Sequence, residues 1–241
     1  MARQEGPIFL RGTIEGINFY HADGKPLARK AGGGFTREAI KRSPRMEIVR
    51  QSNSEFAACS QVNKQFKLAL QPFLQGYKDG SLHSRLMQLF IRIKDQDRQS
   101  ERGKRRVAVG LQSAAGQELV AQFPFTPGMD PLSRFTVSDR ERLAFTIDIR
   151  PELFASDSDS VQILAGLVRF NFETLEWQRA LAEPVRINID AAEPLTMAFP
   201  TATEGEGLLF AVVKITRFRC IHFADKERDV GIAVRALWDE G

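Results

Sequence analysis

At 241 residues, 43% hydrophobic and 27% charged, the chain has the balance of a folded globular protein, with room for one large domain or two small ones. No apolar run approaches the ~20 residues that cross a bilayer, and Glu5, Gly6 and Pro7 interrupt the start where a signal peptide needs a continuous apolar core, which predicts synthesis in the cytoplasm without a signal peptide or membrane span. The net charge of +4 is split unevenly: 21 Lys and Arg face 10 Asp and Glu up to Arg106, and 13 face 20 beyond it, a layout that draws copies together or draws a polyanion to the basic half.

The opening alternates as a strand does, with Ile8, Leu10 and Ile14 followed by "INFY" at Ile17 to Tyr20. Asp23-Gly24 in "HADGKP" is a two-residue hairpin signal, and Leu27 to Arg29 supply the returning strand. Gly32 to Gly34 end this region, and Thr36 is placed to cap "REAIKR". Ser43 and Pro44 restart a helix in which Met46, Val49, Phe56, Cys59, Phe66, Leu70 and Phe73 recur every three to four residues. Gly76 closes it. Ser81 is placed to cap a second helix with Leu82, Leu86, Leu89, Phe90 and Ile93 on one stripe, so the two read as an antiparallel pair.

Beyond about residue 104 the period changes to two. Val107, Val109 and Leu111 alternate with smaller or polar neighbours, then Leu119, Ala121, Phe123 and Phe125, then Leu143, Phe145, Ile147 and Ile149. Ile163, Ala165 and Leu167 hand over to Val168, Phe170 and Phe172, a parity switch near Gly166 that predicts either a bulge or a strand buried on both faces. Val185 to Ile189, Leu208 to Ile215 and Val230 to Trp238 complete seven or eight strands, separated by turns such as "TPGMDP", "SDSDS" and "TEGEG". The pattern predicts an α+β protein: an N-terminal β-hairpin and glycine-rich linker over 1–35, a helical hairpin over 36–104, and an antiparallel, immunoglobulin-like β-sandwich over 105–241.

Chemical motifs are scarce. "KAGGGFTREAI" lacks the Lys and hydroxyl of a phosphate-binding loop and sits in no parallel βαβ unit. His21, His83 and His222 have no ligand spacing, Cys59 and Cys220 form no CxxC and read as small buried hydrophobes, and Glu204 with Glu206 fall in a glycine-rich turn. The residues therefore predict no catalytic site, no metal and no cofactor. The remaining chemistry is a basic tract, Arg92, Lys94, Arg98, Arg102, Lys104, Arg105 and Arg106, which suits phosphates but alternates with Asp95, Asp97 and Glu101. Trp and Tyr number two each, too few for platforms that stack single-stranded bases.

"MARQEG", "LRGTIEGINFY", Gly24, "LARKAGG", the "SEF" at Ser54 to Phe56, the "SRL" at Ser84 to Leu86 and the "RGKRRV" at Arg102 to Val107 resemble a family of uncharacterised bacterial proteins of about this size. The resemblance covers the first 110 residues or so. It implies that hairpin, glycine run and helix pair belong together, and it carries no catalytic residue.

A hairpin this small has too little core to stand alone, so it must dock on its own chain or a neighbour. The leading expectation is a structural, self-assembling subunit of a filament, tube or virion-like assembly. Its partner is itself, and its basic half and acidic sandwich meet head to tail. Interface candidates are Ile8, Leu10, Ile14, Ile17, Phe19 and Tyr20, with the basic tract. The alternative is a nucleic-acid-associated protein using Arg92 to Arg106. An adaptor or saccharide-binding sandwich with a ligand site in its loops is the third reading; it rests on fold analogy alone and is weakened by having only Trp177 and Trp238 as aromatic candidates.

Overall fold

Two left-handed turns shape the start of the chain in a computed structural model, which describes residues 2–6, 8–32, 36–127, 135–139, 144–147, 158–188, 195–197, 205–221 and 224–237. Glu15 and Gly16 have φ of 46° and 78°, and Asp23 and Gly24 have 51° and 73°. Positive φ at both central residues is the type I′ geometry, whose twist matches that of paired strands. These turns join β2 (Gly12–Ile14), β3 (Ile17–Ala22) and β4 (Lys25–Lys30), and β1 (Ala2–Arg3) adds to β4, giving the order β1-β4-β3-β2. The expected hairpin is therefore two strands richer. Asp23-Gly24 announces one turn in the sequence, whereas Glu15-Gly16 gives no comparable signal.

Thr36 caps α1 (Arg37–Arg42), its hydroxyl accepting from the Ala39 amide at 3.2 Å. A 3-10 turn at Pro44–Met46 leads into α2 (Glu47–Ala69). Arg50 reaches back to donate to the Ile40 and Ser43 carbonyls at 2.8 and 2.9 Å, satisfying groups that the end of α1 leaves open. The chain divides into two compact units, Met1–Ser54 and Glu55–Gly241.

In the second unit α2 buries Cys59, Val62, Phe66 and Ala69, and α3 (Gln71–Leu74) follows with Phe73 buried. Before α4 (Leu82–Lys94) the expected cap Ser81 makes no side-chain capping bond; its amide and hydroxyl instead donate to the Asp79 carboxylate at 2.7 and 2.6 Å. Two of the expected strands are helices. Residues 107–111 form α5 (Val107–Gly110) and its cap, and 119–121 end α6 (Ala114–Ala121). Val107, Gly110 and Leu111 are the buried positions, a spacing of three and four that fits one helical turn. Gly110 permits it: a Cβ there would lie 2.0 Å from the Ile93 carbonyl oxygen. Gly110→Ala is expected to destabilise the protein by about 2 kcal/mol, as overpacking against backbone does, read as a lowered melting temperature in calorimetry.

The main sheet contains β7 (Ser160–Phe170), β8 (Trp177–Leu181), β9 (Val185–Asn188), β11 (Leu208–Ile221) and β12 (Ala224–Leu237). Its antiparallel order is β12-β11-β7-β8, with β9 pairing the other part of β7's free edge. A three-stranded sheet joins β5 (Phe135–Asp139), β6 (Ala144–Ile147) and β10 (Leu195–Met197) in the order β10-β6-β5. The parity switch is a strand buried on both faces: β7 stays in register with β11 throughout, and the irregularity lies between Thr216 and Phe218 of β11 against β12. Gly166 faces α3, where a Cβ would meet the Phe73 ring at 2.6 Å.

The α+β class holds, but the immunoglobulin-like expectation is corrected on one face. Val168, Phe170, Phe210, Val212 and Ile232 share a single core with Cys59, Phe66, Leu70, Phe73, Leu86, Phe90 and Ile93, so helices cover this face where a sandwich has a second sheet. The Phe66 ring touches Phe170 and Phe210 edge-on at 5.4 and 5.2 Å. The opposite face holds a second layer, including Val161, Ile163, Leu167, Ala211, Val213 and Ile215. The expected turns at 126–131, 156–160 and 203–207 lie partly outside the described residues, as do Ile149, Gly33, Gly34 and Trp238.

Candidate assembly surface and basic tract

In the first unit the strand register decides which side chains share a face. Ile14 stands opposite Ile17, and Gly12 opposite Phe19, so Ile14, Ile17 and Phe19 line one face of the small sheet, with His21 at its end. Phe9 meets the His21 ring edge-on, 6.4 Å between centroids. The other face carries Tyr20 and Leu27, and the Arg29 guanidinium lies over the Tyr20 ring at 5.2 Å.

Leu10 is tied back to the sheet by a clamp formed by Gln4. Its carboxamide oxygen accepts from the Leu10 amide at 2.9 Å, its nitrogen donates to the Leu27 carbonyl at 3.0 Å, and its own backbone N–H donates to the Pro26 carbonyl at 3.1 Å. Ile8, Phe9 and Leu10 are 77%, 52% and 41% exposed in this segment, and Ile14 and Ile17 are 47% and 43% exposed beside it. Phe19 and Tyr20 are half-buried. Four of the six interface candidates thus lie bare to solvent. Phe9 and the Gln4 clamp were not legible: Phe9 falls off the expected alternation, and a Gln before a turn is an ordinary polar residue. Among the described residues of Met1–Ser54, none is buried.

The basic tract is divided between buried and exposed positions. Lys94 is buried, its ammonium donating to Glu55 at 2.8 Å and pairing with Asp95 at 2.6 Å. The other Glu55 carboxylate oxygen accepts from the Gly103 amide at 2.7 Å and lies 3.7 Å from Arg105. Lys104 pairs with Glu101 at 2.9 Å, and Arg106 with Glu173. Arg92 and Arg98 are exposed; Arg102 is exposed and has an interaction partner. Four of the seven charges are therefore already matched by carboxylates within the fold. The "SEF" and "RGKRRV" stretches come together here, because Glu55 of the first is bonded to Gly103 and faces Arg105 of the second.

Asp97, also buried, orders the same loop by accepting from the amides of Gln99, Ser100 and Arg106 at 3.1, 2.9 and 3.0 Å. Burial alone raises the pKa of Asp97 and of Glu55, but these donated bonds, with the Lys94 and Arg105 charges for Glu55, outweigh it and hold both below the ordinary carboxylate range. Asp79 is held lower still, by the Ser81 hydroxyl first and then by Arg85. Because the folded pKa values are depressed, this stabilisation is complete above the unfolded values near about 4 and is lost as pH falls through the folded ones. Melting temperature is expected to be flat above about pH 5 and to drop steeply below about pH 4, with three carboxylates contributing.

The other sequence candidates are dispersed. Cys59 is buried and its thiol is pushed up to about 11 by burial, so it packs as a hydrophobe; the side chain of Cys220 lies outside the described residues. His83 accepts within a contact to Asn63 and Lys67, 3.2 Å from each, and His222 and Glu204 lie outside the described residues. Among the described residues no three His, Cys, Asp or Glu side chains are grouped to hold a metal ion, and no helix is long and apolar enough to cross a membrane. The first unit thus presents an exposed apolar surface in a chain of the α+β class. Comparison with protein-family models, with curated proteins and with solved structures returned no match to this chain.

Proposed function

We propose that the protein is a structural subunit that assembles with copies of itself, the sheet of its first 54 residues docking on a neighbouring copy. One observation carries this reading: a separate unit whose described residues include none that is buried, with Ile14, Ile17 and Phe9 gathered on one face. A four-stranded sheet without burial has almost no hydrophobic stabilisation of its own, and grouped exposed apolar side chains mark an interaction site. Charge favours a second copy as the occupant. Met1–Ser54 carries ten Lys and Arg against five Asp and Glu, whereas the chain beyond Arg106 carries 13 against 20. A head-to-tail contact between these regions is complementary and repeats into a filament, tube or ring.

The test is negative-stain electron microscopy with light scattering at low and high salt, on the full chain and on a chain lacking residues 1–30. Regular assemblies are expected from the full chain and a dispersed monomer from the shortened one. A full chain that stays monomeric at every salt concentration, or a shortened chain that assembles normally, overturns the reading.

A further inference from the structure

Two helix faces that meet within the second unit form a groove of about 250 Å³. On α4, Arg85, Gln88, Leu89 and Arg92 recur at spacings of three and four residues and so share one face. Leu119, Gln122 and Phe123 repeat that spacing across from them, from α6 into the residues that follow it. Leu89 is buried and Leu119 and Phe123 are half-buried, so the three supply an apolar floor that is still open on one side. Behind Leu89 and Phe123 the core leaves a void of about 20 Å³ among Phe66, Phe90, Phe125, Phe172 and Phe210. That void has room for about one water-sized sphere, so an occupant lies in the groove and not in the core. The groove itself falls just below the range of about 300–1,000 Å³ typical of drug-sized ligands, which limits the occupant to a short chain or a single ring.

The rim decides the head group. It carries two guanidiniums and no carboxylate. Arg85 is already engaged: it pairs with Asp79, donates to the Pro124 and Phe125 carbonyls at 2.7 and 2.8 Å, and lies 5.4 Å from the centroid of the Phe123 ring. Arg92 is exposed, and its guanidinium has neither an ion pair nor a hydrogen bond among the described residues. The Glu118 carboxylate of α6 does not line the groove and accepts from the Gln122 side chain at 2.7 Å. With Arg85 offset by Asp79, the lining therefore keeps one uncompensated positive charge, at the last position of the α4 face.

This combination selects among ligand classes. A polyphosphate asks for several unpaired cations, and a sugar asks for acceptors along the lining; the groove offers one cation and an apolar floor. A carboxylate matches the guanidinium fork with two parallel hydrogen bonds, and the open rim spares the pair the full cost of burial. We propose that this groove binds a small hydrocarbon carboxylate, with the Arg92 guanidinium on its head and Leu89, Leu119 and Phe123 against its chain. The proposal is independent of self-assembly.

The experiment is calorimetric titration of the full-length chain at neutral pH, where such acids are ionised, with butyrate, hexanoate and octanoate, and with hexanamide as the uncharged counterpart. Octanoate is expected to bind saturably with a dissociation constant below about 1 mM. It should bind about tenfold tighter than hexanoate, as two further buried methylenes require. Hexanoate should bind about fivefold tighter than hexanamide, the upper range for an exposed ion pair. Arg92→Gln, a change at an exposed side chain, should remove that preference for the acid and leave the melting temperature unchanged. Four results overturn the proposal. They are no saturable binding of octanoate up to about 10 mM, well above a millimolar dissociation constant; affinity that does not rise with chain length; hexanamide bound as tightly as hexanoate; and an Arg92→Gln chain that keeps the preference for the acid, which would place the ligand on another surface such as the apolar face of the first unit.

Discussion

Aspartate in place of both Ile14 and Ile17 is expected to leave a folded protein that no longer assembles. The two residues are direct cross-strand partners beside the Glu15-Gly16 turn, on the face that also bears Phe19. Both are exposed in the isolated chain, so the substitutions remove little folding energy and the melting temperature should move by a few degrees at most. At an interface the same change buries two uncompensated charges and removes two apolar anchors. A central anchor is worth about 2 kcal/mol or more, which lowers an association constant by about thirtyfold for each. Sedimentation velocity across a dilution series reads this directly. Assembly that persists unchanged in the double variant would falsify a role for this face.

Glu55→Ala carries the largest expected effect on folding. It strands the Lys94 ammonium in a buried site and deprives the Gly103 amide of its acceptor. Removing one member of a buried pair typically destabilises by about 3–5 kcal/mol. Asp95, half-exposed and 2.6 Å from Lys94, remains as a partial partner, so the lower end, about 3 kcal/mol, is expected. For a chain of this size that lowers the melting temperature by roughly 10 °C. Glu55→Leu combined with Lys94→Met should recover most of the loss, since an apolar pair of similar volume replaces the charges without desolvation. A Glu55→Ala variant within 1 °C of the parent in calorimetry would show that Asp95 suffices as the partner of Lys94 without it.

The legible and illegible parts of the fold divide along a physical line. The stripes of α2 and α4 are long enough for a 3.6-residue period to stand out, and Asp23-Gly24 is a turn whose chemistry admits few alternatives. Strands β7, β11 and β12 were visible as apolar runs. Residues 107–121 misled because "VAVGL" satisfies a strand alternation and a single helical turn equally, and only the approach of Gly110 to Ile93 decides between them. The short strands β1, β2 and β10 carry too few residues for any period. Covering one sheet face with helices is a tertiary choice that no local pattern states.

The same division holds for the sites. The exposed Ile8, Leu10, Ile14 and Ile17 followed from the argument that a small hairpin lacks a core. Lys94 and Arg105 did not follow, because charges on a helix end read as solvated until the partner forty residues upstream is seen to be buried beside them.

The edges of the main sheet bear on what kind of assembly the chain escapes. Along β7 the outer neighbour is broken into β8 and β9, and Pro184, which has no amide hydrogen to offer, stands in the break. At the opposite end of the order, β12 includes the charged run Asp225, Lys226, Glu227, Arg228 and Asp229. Both are devices that frustrate the templated stacking of strands from which amyloid grows. Concentrated protein is therefore expected to resist cross-β aggregation at this sheet, and a chain given Thr at 184 with Thr in place of those five charged residues should become fibrillogenic on heating.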